Sequence, residues 1–297
     1  MIAPDKAAGK PQIWLDGRLV PADEGRIDPR DRGFLLGDGV FETMAARDGE
    51  PLRVAAHLAR LSRGAAVLGI PVPLPAEQIA AAIGTVLATN RLGHGRAVVR
   101  VTLTRGPGGR GVVPPPAPQP TLLIASTPAP PPADRPARVT LSNVARNRHS
   151  PTAGIKCLAY ADSIVARMRA DALGCDEAVL TNDAGRLACA TAGNLFIVRG
   201  GTLVTPAETE GILPGITRAT VIALAHALGI PVEQRPVEWS ELATADAMFL
   251  TNSLIGIRPV VKAIREEAPH HEVFRSRDSA IVDQLASALA SSEDSLA

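Results

Sequence analysis

Three short stretches of this sequence combine donors and hinges in ways suited to holding an anion. Gly215-Ile216-Thr217 stands directly ahead of a helical pattern, so backbone N–H groups and the Thr217 hydroxyl can point at a negative group. Thr251-Asn252-Ser253 follows a strand-like run and offers hydroxyl and amide donors. Arg105-Gly106-Pro107-Gly108-Gly109-Arg110-Gly111 sets two guanidiniums on a glycine-rich loop. They could close over a carboxylate bidentately, although such a loop is equally a plain surface turn. Lys156, between Gly154-Ile155 and Cys157-Leu158, is a fourth feature. A lone lysine is ordinarily a solvated surface residue, so its meaning depends on what surrounds it.

The elements that must position these groups can be read from periodicity. Residues 161–173 form a helical pattern with Ile164, Val165, Met168 and Leu173 near one face, stopped by Gly174. Residues 177–181 and 195–198 read as strands, with a turn at 182–185 after the first. Upstream, 13–19 is a hairpin about Asp16-Gly17 and 26–39 a breaker-rich loop. Helices are expected at 53–68 (Ala55, Leu58, Leu61, Ala65, Leu68) and from 77 to 87. The run 96–104 is a strand with Val99, Val101 and Leu103 on one face and Arg100, Thr102 and Thr104 on the other. Further expectations are a strand at 121–126, helices at 217–228 and 279–289, and a short strand at 248–251. Proline-rich segments at 114–120 and 128–136 place a domain boundary in the second of them. The expected organisation is therefore a tail (1–12), a smaller α/β domain (13–130), a linker (131–137), a larger α/β domain (138–290) and a tail (291–297).

Composition narrows the partners. A 297-residue chain that is 46% hydrophobic with a formal charge of +1 offers no basic field for nucleic acid or anionic membrane. Aromatics at 3% argue against a base-stacking surface. No apolar run reaches the length of a membrane span, and the first residues lack a signal-peptide core. Cys157, Cys175 and Cys189 are odd in number and fit no metal spacing, so a reducing cytoplasm and no metal are expected.

In this order the motifs resemble the class IV aminotransferases, the fold type IV enzymes that use pyridoxal phosphate. The resemblance runs from about Ile13 to Val260. It is carried by Arg30-Asp31-Arg32-Gly33, Gly37-Asp38-Gly39-Val40-Phe41-Glu42-Thr43, His57-Leu58-Ala59-Arg60-Leu61 and Thr104-Arg105-Gly106. It continues through Ile155-Lys156, Asn194-Leu195-Phe196, Thr205-Pro206, the run from Gly211 to Arg218, and Thr251-Asn252-Ser253 before Pro259-Val260. The resemblance implies an α/β two-domain fold, pyridoxal 5′-phosphate as cofactor, a small amino substrate bearing a carboxylate, and a homodimer. It makes Lys156 the lysine that joins the cofactor and moves the proton, and Arg60 the phosphate arginine. Ile216, Thr217, Thr251, Asn252 and Ser253 complete the phosphate site, Tyr160 stands near the cofactor's ring hydroxyl, and Asn194 holds the frame beside it. Phe41, Arg105 and Arg110 fall on the substrate side.

Cys189 departs from the pattern. The family reads Gly-x-x-x-Glu with Asn five residues on. Here Gly185 and Asn194 keep that frame, while Cys189 takes the place of the glutamate that keeps the pyridine nitrogen protonated. A neutral thiol cannot hold a pyridinium as a carboxylate does. Glu208 and Glu210 are the nearby carboxylates that could substitute.

Within the family, three features resemble aminodeoxychorismate lyase. These are the loop from Thr104 to Gly111, Arg146-Asn147-Arg148 ahead of Gly154-Ile155-Lys156, and Thr251-Asn252-Ser253-Leu254. Thr43 falls at that lyase's catalytic threonine, where a hydroxyl could help a proton reach the leaving enolpyruvate. The expected activity is release of pyruvate and 4-aminobenzoate. The alternative is an amino-acid aminotransferase of the D-amino-acid or branched-chain type; Arg110-Gly111-Val112 lacks the histidine of the D-amino-acid enzymes. A third expectation is a cofactor-binding protein with little turnover, motivated by Cys189.

Overall fold

A computed structural model describes residues 10–133, 135–277 and 279–294. Of the two expected tails, residues 1–9 and 295–297 lie outside the described residues. The chain forms two compact units. The first runs to Pro130 and includes Lys156–Leu158; the second takes Pro131–Ile155 and resumes at Ala159.

Unit 1 is built from β1 (Gln12–Leu15), β2 (Arg18–Pro21), α1 (Arg32–Leu36), β3 (Gly39–Arg47), β4 (Glu50–Pro51), α2 (Val54–Leu68), α3 (Ala76–Thr89), β5 (Arg96–Thr104) and β6 (Thr121–Pro128). Its six strands lie in the order β2-β1-β6-β5-β3-β4, each pair antiparallel. The alternation in β5 survives: Val99, Val101 and Leu103 have no exposed surface, whereas Arg100 is exposed. The loop expected at 26–39 contains a helix instead. Asp31 caps α1 by accepting from the Gly33 N–H at 2.7 Å, and Gly37 ends it at φ +67°, where a β-carbon would be strained. On α2 the buried stripe includes Leu58, Leu61 and Ala65 as expected, but His57 and Arg60 as well.

Unit 2 comprises β7 (Ala137–Arg146), α4 (Ala161–Ala172), β8 (Glu177–Asn182), β9 (Leu187–Ala190), β10 (Asn194–Arg199), β11 (Thr202–Pro206), α5 (Ile216–Ala227), β12 (Val232–Arg235), β13 (Ala247–Asn252), β14 (Gly256–Arg265), β15 (Ala268–Arg275) and α6 (Ala280–Asp294). Its sheet runs β12-β11-β10-β13-β14-β7-β8-β9, with β15 on β14; the β11–β12, β14–β7 and β7–β8 pairs are parallel. Alternate residues of β10 and β13 serve opposite faces. Phe196 and Phe249 stack at 4.9 Å beneath α5 and α6, while Leu195, Ile197, Met248 and Leu250 fill the other core. The helix α6 continues past the end expected from sequence, through Asp294.

The face assigned to α4 is corrected. Ala166 and Ala170 are buried, whereas Ile164, Val165 and Met168 are exposed by 56%, 41% and 67%. Two alanines one turn apart let the helix backbone lie close on β7 and β8, and this close packing outweighs burial of the larger side chains.

Candidate active site

The chemistry-bearing groups form two sets, one in each unit. In unit 1, residues 156–158 extend the sheet alongside β3. The Phe41 N–H donates to the Lys156 carbonyl at 2.9 Å and the Leu158 N–H to the Gly39 carbonyl at 3.0 Å. Lys156 Nζ sits 4.3 Å from the centre of the Phe41 ring, and the Arg100 guanidinium carbon lies 3.9 Å from the same centre. Thr43 is directly across the ladder from Arg100, so its side chain shares the face of Phe41 and Arg100. Burial pulls the Lys156 amine down to about 8; Glu42 opposes this and Arg60 and Arg100 add to it.

Behind Phe41, Glu42 is wholly enclosed. Its carboxylate accepts from Arg60 Nε and Nη2 and from His57 Nδ1, each at 2.7 Å. Burial alone would raise the Glu42 pKa, but the bonds from Arg60 and His57 outweigh it and hold the carboxyl below its ordinary range. Burial keeps His57 neutral, so its Nδ1 carries the proton it donates. Sequence reasoning saw Glu42 and His57 inside motifs without giving them roles, and placed Arg100 on a strand face only. The signal for Arg100 was a charged residue in the middle of a strand, between Val99 and Val101.

The loop arginines separate. Arg105 is not available to a substrate. Its Nε and Nη2 bind Asp38 at 2.7 and 3.1 Å, and Nη1 and Nη2 donate to the Gly69 and Leu68 carbonyls. Asp38 also receives Arg32 Nε at 2.8 Å, and Arg32 holds the loop through the carbonyls of Gly111 and Val112. Two guanidiniums and one carboxylate thus brace the glycine-rich loop, and Arg110 is left exposed on it.

In unit 2, Asn194 links the start of α5 to Thr251, while Arg60, the expected phosphate arginine, lies in unit 1 on Glu42. Gly215 is the N-cap of α5 and offers no side chain to the first-turn amides of Ile216 and Thr217. A β-carbon at Gly215 would stand 1.9 Å from Asn194 Oδ1, so the close approach of this turn to Asn194 requires glycine. Asn194 is fixed by donating Nδ2 to the Leu213 carbonyl at 2.9 Å and faces Thr251 across the β10–β13 ladder. Thr251 Oγ1 is buried with no hydrogen-bond partner among the described residues. An uncapped helix start and an orphaned buried hydroxyl fit an anion such as a phosphate. Asn252 contributes less than expected: its side chain donates to the Ala192 carbonyl and accepts from the Leu254 and Ile255 N–H groups, which closes a turn. Ser253 follows it, half-buried, and Tyr160 is the half-buried N-cap of α4.

Cys189 lies on β9 opposite Leu180, 5% exposed, among Ala166, Ala170, Ala188 and Ile212. Burial pushes its thiol pKa up, against the pull of the nearby Arg146. Arg146 also donates to the Gly211 and Ala153 carbonyls, each at 3.0 Å. The carboxylate that acts on Cys189 is Glu177, which also raises its pKa. Glu210 is spent on Arg186, at 2.6 and 2.9 Å, and on Asn182 at 2.7 Å; Glu208 is exposed.

Known proteins are similar to this chain in sequence and in structure. The family model for amino-transferase class IV matches residues 39–263. A Methanocaldococcus jannaschii protein, provisionally named a branched-chain-amino-acid aminotransferase, is 36% identical over 84% of this chain and 86% of its own. The crystal structure of 4-amino-4-deoxychorismate lyase from Pseudomonas aeruginosa is 31% identical, covers 95% of this chain and 99% of its own, and superposes with a TM-score of 0.81. The T.th. branched-chain amino acid aminotransferase, solved with pyridoxamine 5′-phosphate, is 27% identical, covers 97% and 96%, and has a TM-score of 0.86.

Proposed function

The chain belongs to the class IV aminotransferases, enzymes that work with pyridoxal phosphate, and on that premise we propose that it releases pyruvate and 4-aminobenzoate from aminodeoxychorismate. The cofactor has an aldehyde and a phosphate; the Lys156 amine suits the first, and the anion-binding groups of Gly215, Ile216, Thr217 and Thr251 suit the second. When bound, the cofactor draws electrons from the substrate's α-carbon.

The residues of unit 1 supply the rest. An amine held near 8 is partly unprotonated at neutral pH, so Lys156 can join the cofactor and then carry a proton. Arg100 and the exposed Arg110 are the guanidiniums for the substrate carboxylates. Phe41 packs beneath Lys156 and keeps water from that side of the amine. The observation that carries the lyase reading is Thr43, whose side chain shares a strand face with Arg100 and with Phe41, the ring that packs on Lys156. There it can hand a proton to departing enolpyruvate. An amino-acid aminotransferase is the second reading, favoured by the 36% identical relative.

We also take the working form to be a homodimer in the cytoplasm. On α1, Phe34, Leu35 and Leu36 are exposed by 77%, 56% and 51%; Val112 and Val113, on the loop that Arg32 ties to α1, by 81% and 80%. An apolar patch of this kind suits a second copy of the chain. Among the described residues no helix is long and apolar enough to cross a membrane.

One panel tests the reaction: aminodeoxychorismate alone, then D-alanine, L-leucine and L-glutamate, each with 2-oxoglutarate. Pyruvate from aminodeoxychorismate without any keto acid is the expected result. Amino-acid turnover with no pyruvate release would replace the lyase by the aminotransferase. A colourless protein, unchanged by borohydride, would refute the cofactor assignment itself.

A further inference from the structure

A buried ion pair is costly to desolvate, and apolar side chains of similar volume often stabilise a core as well. The cluster of Glu42, Arg60 and His57 therefore needs a reason beyond packing. All three are buried, Glu42 completely, and the carboxylate spends both oxygens on them. Glu42 follows Phe41 on β3, whose N–H donates to the Lys156 carbonyl at 2.9 Å and whose ring lies 4.3 Å from Lys156 Nζ, and Glu42, Arg60 and Arg100 all act electrostatically on that amine.

We propose that Glu42 is a positioning residue for Lys156: by gripping Arg60 and His57 it fixes the charge balance around the Lys156 amine. The groups that act on this amine come from four segments. Glu42 on β3 is the anion, Arg60 on α2 and Arg100 on β5 are cations, His57 on α2 is neutral, and Cys157 is its own neighbour. With Glu42 in place, the two cations are partly balanced and the amine titrates close to neutrality. Without that anion, the two guanidiniums would go unbalanced and the amine would lose its proton at a lower pH, although the reaction requires it to gain a proton as well as lose one. Arg60 is held on Glu42 by a two-point grip, which fixes the position of its guanidinium. His57 completes the grip without adding charge.

This inference rests on Lys156 being the reactive amine, yet its test needs no cofactor. The pH dependence of Lys156 acetylation by trace acetic anhydride would be followed by mass spectrometry in the apoprotein, its Glu42→Gln variant and its Arg60→Gln variant. The midpoint should fall by roughly one unit in Glu42→Gln, because a nearby opposite charge is removed. It should rise in Arg60→Gln, because a nearby like charge is removed. A merely structural role predicts otherwise: loosening admits water and moves both variants up, toward the ordinary lysine value of about 10.4. An unchanged or higher midpoint in Glu42→Gln overturns the proposal. Should Glu42→Gln not fold, Arg60→Gln decides, with hydrogen exchange of the β3 and α2 peptides as control. A rise with protection retained supports the proposal; no rise, or a rise only with protection lost, overturns it. A wild-type protein that never takes up pyridoxal phosphate would refute the proposed function and leave this titration intact.

Discussion

Replacing Cys189 by Glu tests the clearest chemical departure in the chain. Cys189 is 5% exposed and packed among alanines, a leucine and an isoleucine, so the longer side chain must displace neighbours. Overpacking of this kind costs about 1–3 kcal/mol. At roughly 2–4 °C per kcal/mol for a protein of this size class, the melting temperature should drop by about 2–12 °C. The new carboxylate would find Arg146 close by, which offsets much of its desolvation. If this position faces the cofactor's ring nitrogen, a charged acceptor replaces a neutral thiol. Bonds to charged groups exceed neutral ones by about 1 kcal/mol, which corresponds to roughly a five- to tenfold rate. The gain should appear in kcat for an amino-acid half-reaction more than in KM, because it acts as charge builds on the cofactor. Stopped-flow absorbance on the cofactor-loaded protein measures it, with Cys189→Ala as a control expected to differ little from the parent in rate. A stable, cofactor-loaded Cys189→Glu protein with unchanged half-reaction rates would refute the placement of this residue at the nitrogen.

Two further outcomes follow from the loop bracing. Asp38→Asn should destabilise the protein at pH 7 by about 3 kcal/mol, since two buried guanidiniums lose their shared anion. Burial would raise the Asp38 pKa, but Arg105 and Arg32 bring it below the usual value, so its stabilisation is present above about pH 4 and is lost as pH falls further. Denaturant titrations should show the parent losing stability relative to Asp38→Asn below that pH, and parallel curves would contradict the assignment. Arg105→Met should lower the melting temperature, whereas Arg110→Met should leave it within about a degree or two and raise KM for a carboxylate substrate; the reverse pattern would restore Arg105 as the substrate arginine.

Much of this architecture was legible in local pattern. Period-two alternation placed Val99, Val101 and Leu103 inward and Arg100 outward, because a pleated strand can expose only alternate residues. Glycine before a helical run marked the start of α5 at Gly215, without a side-chain cap, for a similarly local reason: helix starts always leave amides unsatisfied. The face of α4 was misjudged because size alone suggested that Ile164, Val165 and Met168 would be inside. Which stripe of a helix is buried depends on how closely its neighbour approaches, and here the alanines allow the closer approach.

The family and the candidate lysine are readable from the chain alone, since they reside in short motifs and their spacing. What each long polar side chain is bonded to is a matter of tertiary contact. Arg105 and Arg110 are indistinguishable in sequence, yet Arg105 meets Asp38 from 67 residues away while Arg110 remains exposed. Arg60 meets Glu42 across 18 residues, and Glu210 is taken by Arg186 across 24. The physical reason is that hydrophobic burial follows a repeating local period, whereas a charge is committed by whichever counter-charge the fold brings within about 3 Å of it.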